Sequence, residues 1–188
     1  MIKIGITGSI ASGKTTASKI LSSKKSPLFS ADAVVKSLYK KKSFINSISK
    51  KFQIKSKNNF KKILKKKILT NNKILDYLEK IIHPLVRREM KKFTKKNQHK
   101  NILFYEIPLL IESKLTKFFD KIIFIKSKKI IRLRRYQLIG GDFFLFNMLD
   151  NKQMPVSQKV KFCKHIVTND KDLNILKKKL KDIIALYE

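Results

Sequence analysis

The residues best suited to chemistry stand near the start of the chain. Gly8-Ser9-Ile10-Ala11-Ser12-Gly13-Lys14-Thr15 has the spacing G-x-x-x-x-G-K-[ST]. An apolar, β-branched run over 1–7 precedes it, and a helical pattern over 14–23 follows. Strand, glycine-bearing turn and helix form the setting in which such a loop holds phosphate. Gly8 and Gly13 permit backbone conformations that a side chain would forbid. The amides between them, those of Ala11 and Ser12 included, then turn toward phosphate oxygens at a helix N-terminus. Lys14 is placed to reach the β- and γ-phosphates, and the Thr15 hydroxyl to ligate Mg²⁺. Thr16, in the first helical turn, could meet the α-phosphate. The chain has no N-K-x-D-like guanine reader, so ATP is the expected nucleotide.

A phosphate loop identifies a donor and leaves the acceptor open. Asp32 follows the short strand pattern 27–30. A carboxylate at the carboxyl end of a strand lines the ligand crevice of an α/β sheet and could take a hydroxyl proton during phosphoryl transfer. It equally suits the N-cap of a helix beginning near Ala33. Glu106 closes the run Asn101-Ile-Leu-Phe-Tyr-Glu-Ile107 and reads either as a carboxylate holding Mg²⁺ through water or as a strand-end surface acid. His83-Pro84 reads as a structural histidine beside a proline that breaks or starts a helix. Arg87 and Arg88, one turn on, could bind an anionic acceptor or line a solvated face. Arg132, Arg134 and Arg135 gather before Gly140-Gly141, an arrangement suited to clamping phosphates from a hinged lid.

The elements that must position these groups alternate. Strand patterns occupy 1–7, 27–30, 101–107, 121–126 and 165–168, and helical patterns 14–23, 32–40, 128–138 and 172–187. From 43 to 98 the chain is lysine-rich with helical spacing and no strand signal, while 139–153 has no clear period. Strands alternating with helices predict a parallel sheet covered on both faces.

Of 188 residues, 45 are Lys or Arg and 13 Asp or Glu, a formal charge of +32. Only five of the basic residues are arginine. Nucleic-acid readers favour the planar guanidinium fork. Lysine spread from end to end, with abundant Ile, Asn and Phe, reads instead as A/T-rich codon usage expressed on a solvated surface. No specific nucleic-acid partner is expected, although the field would draw in anionic substrates. One cysteine, Cys163, excludes an internal disulfide and a thiolate zinc cluster. No apolar run approaches the roughly 18 residues of a membrane span. The opening residues read as a strand rather than a signal peptide. A cytoplasmic, monomeric, soluble protein with no membrane partner is the expectation.

The ordered set of motifs resembles the dephospho-CoA kinases. It comprises the loop 8–15, Ala31-Asp32, His83-Pro84-Leu-Val-Arg87, Ile107-Pro108-Leu109-Leu110-Ile111-Glu112, Gln153-Met-Pro155, Lys159 and Ile166-Val-Thr-Asn169, and spans essentially the whole chain. Ser30 stands where that family has the first acid of D-A-D, and Glu106 where it usually has Asp before Pro-Leu-Leu. The resemblance implies an α/β, P-loop NTPase-type three-layer fold. Its core would cover about 1–35, 100–128 and 160–188, with a helical acceptor-binding insertion over about 36–99 and a lid over about 129–155. It implies ATP- and Mg²⁺-dependent phosphorylation of the ribose 3′-hydroxyl of dephospho-CoA, the last step of coenzyme A synthesis. Asp32 would then be the base, with Lys14, Arg132 and Arg135 on the phosphates. Gly8, Ala11, Ser12, Gly13, Lys14, Thr15, Thr16 and Asn169 would hold the nucleotide, and Thr15 and Glu106 the metal. Asp32, His83, Arg87, Pro108 and Leu109 would meet the acceptor. The rival readings are another P-loop kinase of a small molecule or nucleotide, and a nucleic-acid-binding ATPase.

Overall fold

The computed structural model describes residues 1–22, 25–56 and 59–187. Ser23 of the helical pattern 14–23, Lys57 and Asn58 of the run 43–98, and Glu188 of the expected core lie outside them. Two compact units are present: Met1–Ser30 together with Phe93–Glu188, and Ala31–Lys92.

The first unit is built on a five-stranded sheet of β1 (Ile2–Gly8), β2 (Leu28–Ser30), β3 (Ile102–Glu106), β4 (Lys121–Lys126) and β5 (His165–Thr168). The strand order is β2-β3-β1-β4-β5, every pair parallel. All five strands stand where β-branched and aromatic runs predict them. β3 is buried along its whole length and β4 at four successive positions, as strands covered on both faces must be. On one face Ile4, Ile6, Phe104, Ile123, Ile125 and Val167 pack with Ala17 of α1 (Lys14–Leu21). Leu176, Leu180 and Ile184 of the C-terminal helix (Leu173–Ile184) complete this layer. That helix starts where Asp172 accepts hydrogen bonds from the amides of Asn174 and Ile175. Alternation sends Tyr105 to the opposite face, where its ring meets Phe29, Phe93, Phe118 and Phe119 at 5.3–6.0 Å. The chain turns from one side of β1 to the other between β3 and β4. The ligand crevice of such a sheet therefore opens at the carboxyl end of β1, where the loop 8–15 begins.

The second unit is helical: α2 (Ala31–Leu38), α3 (Lys42–Lys51), α4 (Phe60–Thr70) and α5 (Asn72–Lys96), the last turn of α5 belonging to the first unit. Leu78, Ile82, Val86 and Met90 form a buried stripe at four-residue spacing on α5. Tyr39 packs edge-on against Phe44, and Phe52 against Tyr77. Pro84 lies inside α5, so it neither breaks nor starts a helix as the sequence suggests. It lacks only the amide that would have bonded the Lys80 carbonyl.

Two further sequence readings need correction. The aperiodic stretch 139–153 contains a helix, α7 (Phe143–Lys152), after α6 (Lys129–Leu138). Phe143-Phe144-Leu145-Phe146 is apolar at every position and shows no stripe, but Asp142 caps the helix by accepting from the Leu145 amide. A short helix, α8 (Val156–Lys159), follows, which makes the C-terminal helix α9. Helix α2 begins at Ala31, directly after β2, so Asp32 is not its N-cap but lies in its first turn. No helix among the described residues is long and apolar enough to cross a membrane.

Candidate active site

The loop 8–15 takes its shape from two glycines. Gly8 has φ +154° and sits against the Ile125 carbonyl, leaving no room for a β-carbon. Gly13 has φ +93° and lies under the Asn169 carboxamide, which a side chain would strike. Ala11 also has positive φ, at 56°. The first intrahelical bond of α1 runs from the Ala17 amide to the Gly13 carbonyl. The amides ahead of it therefore have no acceptor within the helix and carry the positive end of its dipole. Lys14 is buried and donates to the Ser9 carbonyl at 2.8 Å, so its ammonium curls over the loop. Thr16 is exposed in the same turn.

Asn169 braces this loop from the end of β5. Its Nδ2 donates to the Ser12 carbonyl at 2.9 Å and its own amide donates to the Lys126 carbonyl. Beside it, Asp170 accepts from the Ser127 hydroxyl and the Lys128 amide. Desolvation opposes its charge, but those two donors and the nearby Lys128 and Arg135 prevail and hold its carboxyl below the usual range. Arg135 Nη1 reaches the Ser127 hydroxyl at 3.4 Å and lies 4.0 Å from where a β-carbon on Gly13 would stand. Arg132 is buried and committed. It meets both Asp150 oxygens, at 2.5 and 3.3 Å, and donates to the carbonyls of Ser127 and Ile10. Its guanidinium also lies over the Phe146 ring. Arg134 is exposed.

At the carboxyl end of β3, Glu106 is only 2% exposed. Thr15 Oγ1 donates to its Oε1 at 2.5 Å, and Ser30 Oγ to its Oε2 at 3.1 Å. Among the described residues its carboxylate meets these hydroxyls and no basic side chain. A buried carboxylate held by neutral donors, next to a hydroxyl with lone pairs to spare, is an oxygen set suited to a hard divalent cation. No three His, Cys, Asp or Glu side chains gather as a metal cage among the described residues. Mg²⁺ is commonly held by one or two carboxylates plus substrate phosphates, and this arrangement fits that pattern.

Pro108 and Leu109 follow β3. The Pro108 carbonyl accepts from the buried Thr7 hydroxyl at 3.0 Å, which fixes the turn beside β1. Further on, Glu112 pairs with the fully buried Lys159 at 2.6 Å and accepts from the Met154 amide. This ties the segment after β3 to the approach to α8. Lys159 and Glu112 appear in the sequence only as motif letters. Nothing in their spacing announces a buried ion pair.

The first unit thus brings together Gly8, Ala11, Ser12, Gly13, Lys14, Thr15, Thr16, Glu106, Pro108, Leu109, Arg132, Arg135 and Asn169 around the carboxyl ends of its strands. The remaining candidates belong to the helical unit. Asp32 is exposed in the first turn of α2, His83 is half-buried on α5, and Arg87 is exposed one turn further along the same helix.

Comparison with known proteins adds an independent line. The family model CoaE, dephospho-CoA kinase, matches residues 2–174. The dephospho-CoA kinase of Bartonella quintana is 38% identical over 176 residues, 90% of each chain. Among solved structures, TT1252 of Thermus thermophilus matches with a TM-score of 0.80 at 26% identity, over 100% of this chain and 98% of that one. The dephospho-CoA kinase of Campylobacter jejuni matches with a TM-score of 0.68 at 25% identity, over 97% and 95%. A strand–loop–helix phosphate cradle, a buried carboxylate beside its threonine and a family match over nearly the whole chain agree, and the chain belongs to the dephospho-CoA kinase family.

Proposed function

We propose that the chain transfers the γ-phosphoryl group of ATP to the ribose 3′-hydroxyl of dephospho-CoA, releasing ADP and coenzyme A. The observation that carries this is the phosphate loop with Thr15 on Glu106, set in a chain that matches the family along almost its full length. The loop amides and Lys14 bind the triphosphate and stabilise charge on the transferring group. Thr15 and, through water, Glu106 would hold Mg²⁺, which when bound neutralises charge on the β- and γ-phosphates. Asp32 orients the acceptor hydroxyl and takes its proton as the oxygen bonds to phosphorus and the β–γ bridge breaks.

Arg135, beside Gly13, is the phosphate clamp. Arg132 braces the loop through the Ile10 carbonyl and reaches phosphate only by giving up Asp150. Asn169 keeps Gly13 in its left-handed conformation from behind. His83 and Arg87 on α5, with Pro108 and Leu109, meet the acceptor, whose phosphates suit a guanidinium. The enzyme acts in the cytoplasm as a monomer and needs no specific nucleic acid, the lysine surface serving to attract anionic substrates.

ADP release in the presence of ATP and Mg²⁺, with dephospho-CoA against adenosine, nucleoside monophosphates and RNA, tests the assignment. Release confined to dephospho-CoA, with coenzyme A as product, is expected. A response to a different small acceptor would retain the loop chemistry and overturn the acceptor. Stimulation by RNA would favour the ATPase reading.

A further inference from the structure

Ser30 and Glu106 are register partners at the carboxyl ends of the adjacent parallel strands β2 and β3. In this chain the two positions hold a hydroxyl and the longer of the two acidic side chains. Glutamate carries one more rotatable bond than aspartate, so a glutamate at a binding site must have its carboxylate fixed from outside. Here each oxygen is fixed separately. Oε1 receives the Thr15 hydroxyl and Oε2 the Ser30 hydroxyl, while the group itself is 2% exposed. The Thr15 bond faces the phosphate loop. The Ser30 bond comes from the neighbouring strand and is independent of that loop. Ser30 is half-buried at its strand end and carries no charge to compete with a cation.

We propose that Ser30 is a positioning residue that sets the orientation of the Glu106 carboxylate and thereby the Mg²⁺ requirement of nucleotide binding. The proposal rests on the reading of Glu106 as a metal-holding group. Partners that orient direct metal ligands are worth about 10–100-fold in metal affinity, and Ser30, acting on a carboxylate that reaches the ion through water, belongs at the low end of that range. Ser30 reaches the pocket through the Glu106 carboxylate, so its loss should change the metal requirement more than the fold.

The test is the binding of a non-hydrolysable ATP analogue, followed by calorimetry at stepped Mg²⁺ concentrations, for wild type, Ser30→Ala, Ser30→Thr and Glu106→Gln, with each melting temperature recorded. Ser30→Ala should raise the half-saturating Mg²⁺ concentration about tenfold. Ser30→Thr, which keeps the hydroxyl, should return it to within about twofold of wild type. A shift with Glu106→Gln but none with Ser30→Ala overturns the role of Ser30 and leaves the metal reading intact. No shift with Glu106→Gln overturns both. If Ser30→Ala melts much earlier and Ser30→Thr restores the melting temperature but not the Mg²⁺ midpoint, Ser30 is structural only and the proposal fails.

Discussion

Glu106 ends β3 and Asp32 follows β2 by two residues, yet the molecule holds these two acidic groups differently. Glu106 closes a fully buried strand and has a hydroxyl on each oxygen. Asp32 is exposed on a helix of the other unit. The first geometry suits a group that must stay still around a cation, and the second a group that meets an arriving hydroxyl. The same contrast separates the units as wholes. The sheet unit fixes its chemistry by strand register, positive-φ turns and side chains bonded to backbone, as with Asn169 on Ser12. The helical unit carries Asp32, His83 and Arg87 on a scaffold of aliphatic stripes and edge-on rings. Binding in the first should tolerate little change, while substitutions in the second should separate binding from turnover.

The largest effect is expected from Lys14→Ala, which removes the cation over the loop. Turnover measured by ADP release should fall about 10³-fold. Near-normal turnover would mean that the amides alone hold the phosphates. Next, Asp32→Asn should cut kcat about 10²-fold or more while leaving ATP affinity nearly intact, as read by calorimetry. An equal loss of ATP affinity would erase the distinction between the two carboxylates. Lys159→Met probes rigidity in the sheet unit. Glu112 Oε2 has no hydrogen-bond partner among the described residues, and removing the cation from Oε1 leaves the charge only the Met154 amide. Urea unfolding should show a loss of about 3 kcal/mol or more, partly recovered by adding Glu112→Leu. Unchanged stability would show that the pair is dispensable.

The smallest effect concerns His165, on the edge strand β5, whose ring contacts the Tyr187 hydroxyl. Burial, then Lys164 and Lys121, hold its pKa below the ordinary 6.5. The unfolded chain therefore binds this proton first. Stability from the neutral ring is complete above that value and is lost as pH falls below it. The melting-temperature drop from about pH 7.5 to about pH 5.5 should be smaller in His165→Gln than in wild type. An equal drop would place the pH sensitivity elsewhere.

Much of the sheet was legible because buried parallel strands are written as unbroken apolar runs, such as Ile-Ile-Phe-Ile over 122–125. The phosphate loop was legible because its backbone demands glycine at two fixed places. Helix α7 escaped because periodicity is invisible when four successive residues are apolar, although the Asp142 cap was there to be read. The start of α2 was misjudged by two residues because β2 passes into it without a connecting loop. The Ser30–Glu106 contact spans 76 positions and the commitment of Arg132 to Asp150 spans 18. Pairings of this kind arise from the fold and leave no local signature in the chain. Asp32 and Arg87 stood out by position alone, each beside a plain structural alternative, and the family resemblance rather than any spacing gave them and His83 their expected roles.

The central place of β1 bears on how the chain is made. Its neighbours on both sides come much later: Ile2 pairs with Ile102 and Ile4 with Lys121. At roughly 5–20 residues per second, the first strand would leave the ribosome some 5–20 s before its partners. The helices of 31–92 depend on nearer contacts and can form during that interval, whereas β1 must wait as an unpaired apolar segment. Its early life is then a matter of keeping MIKIGIT from finding the wrong edge, and Lys3 within it and the lysines that crowd the rest of the chain suit that task by repulsion between nascent copies.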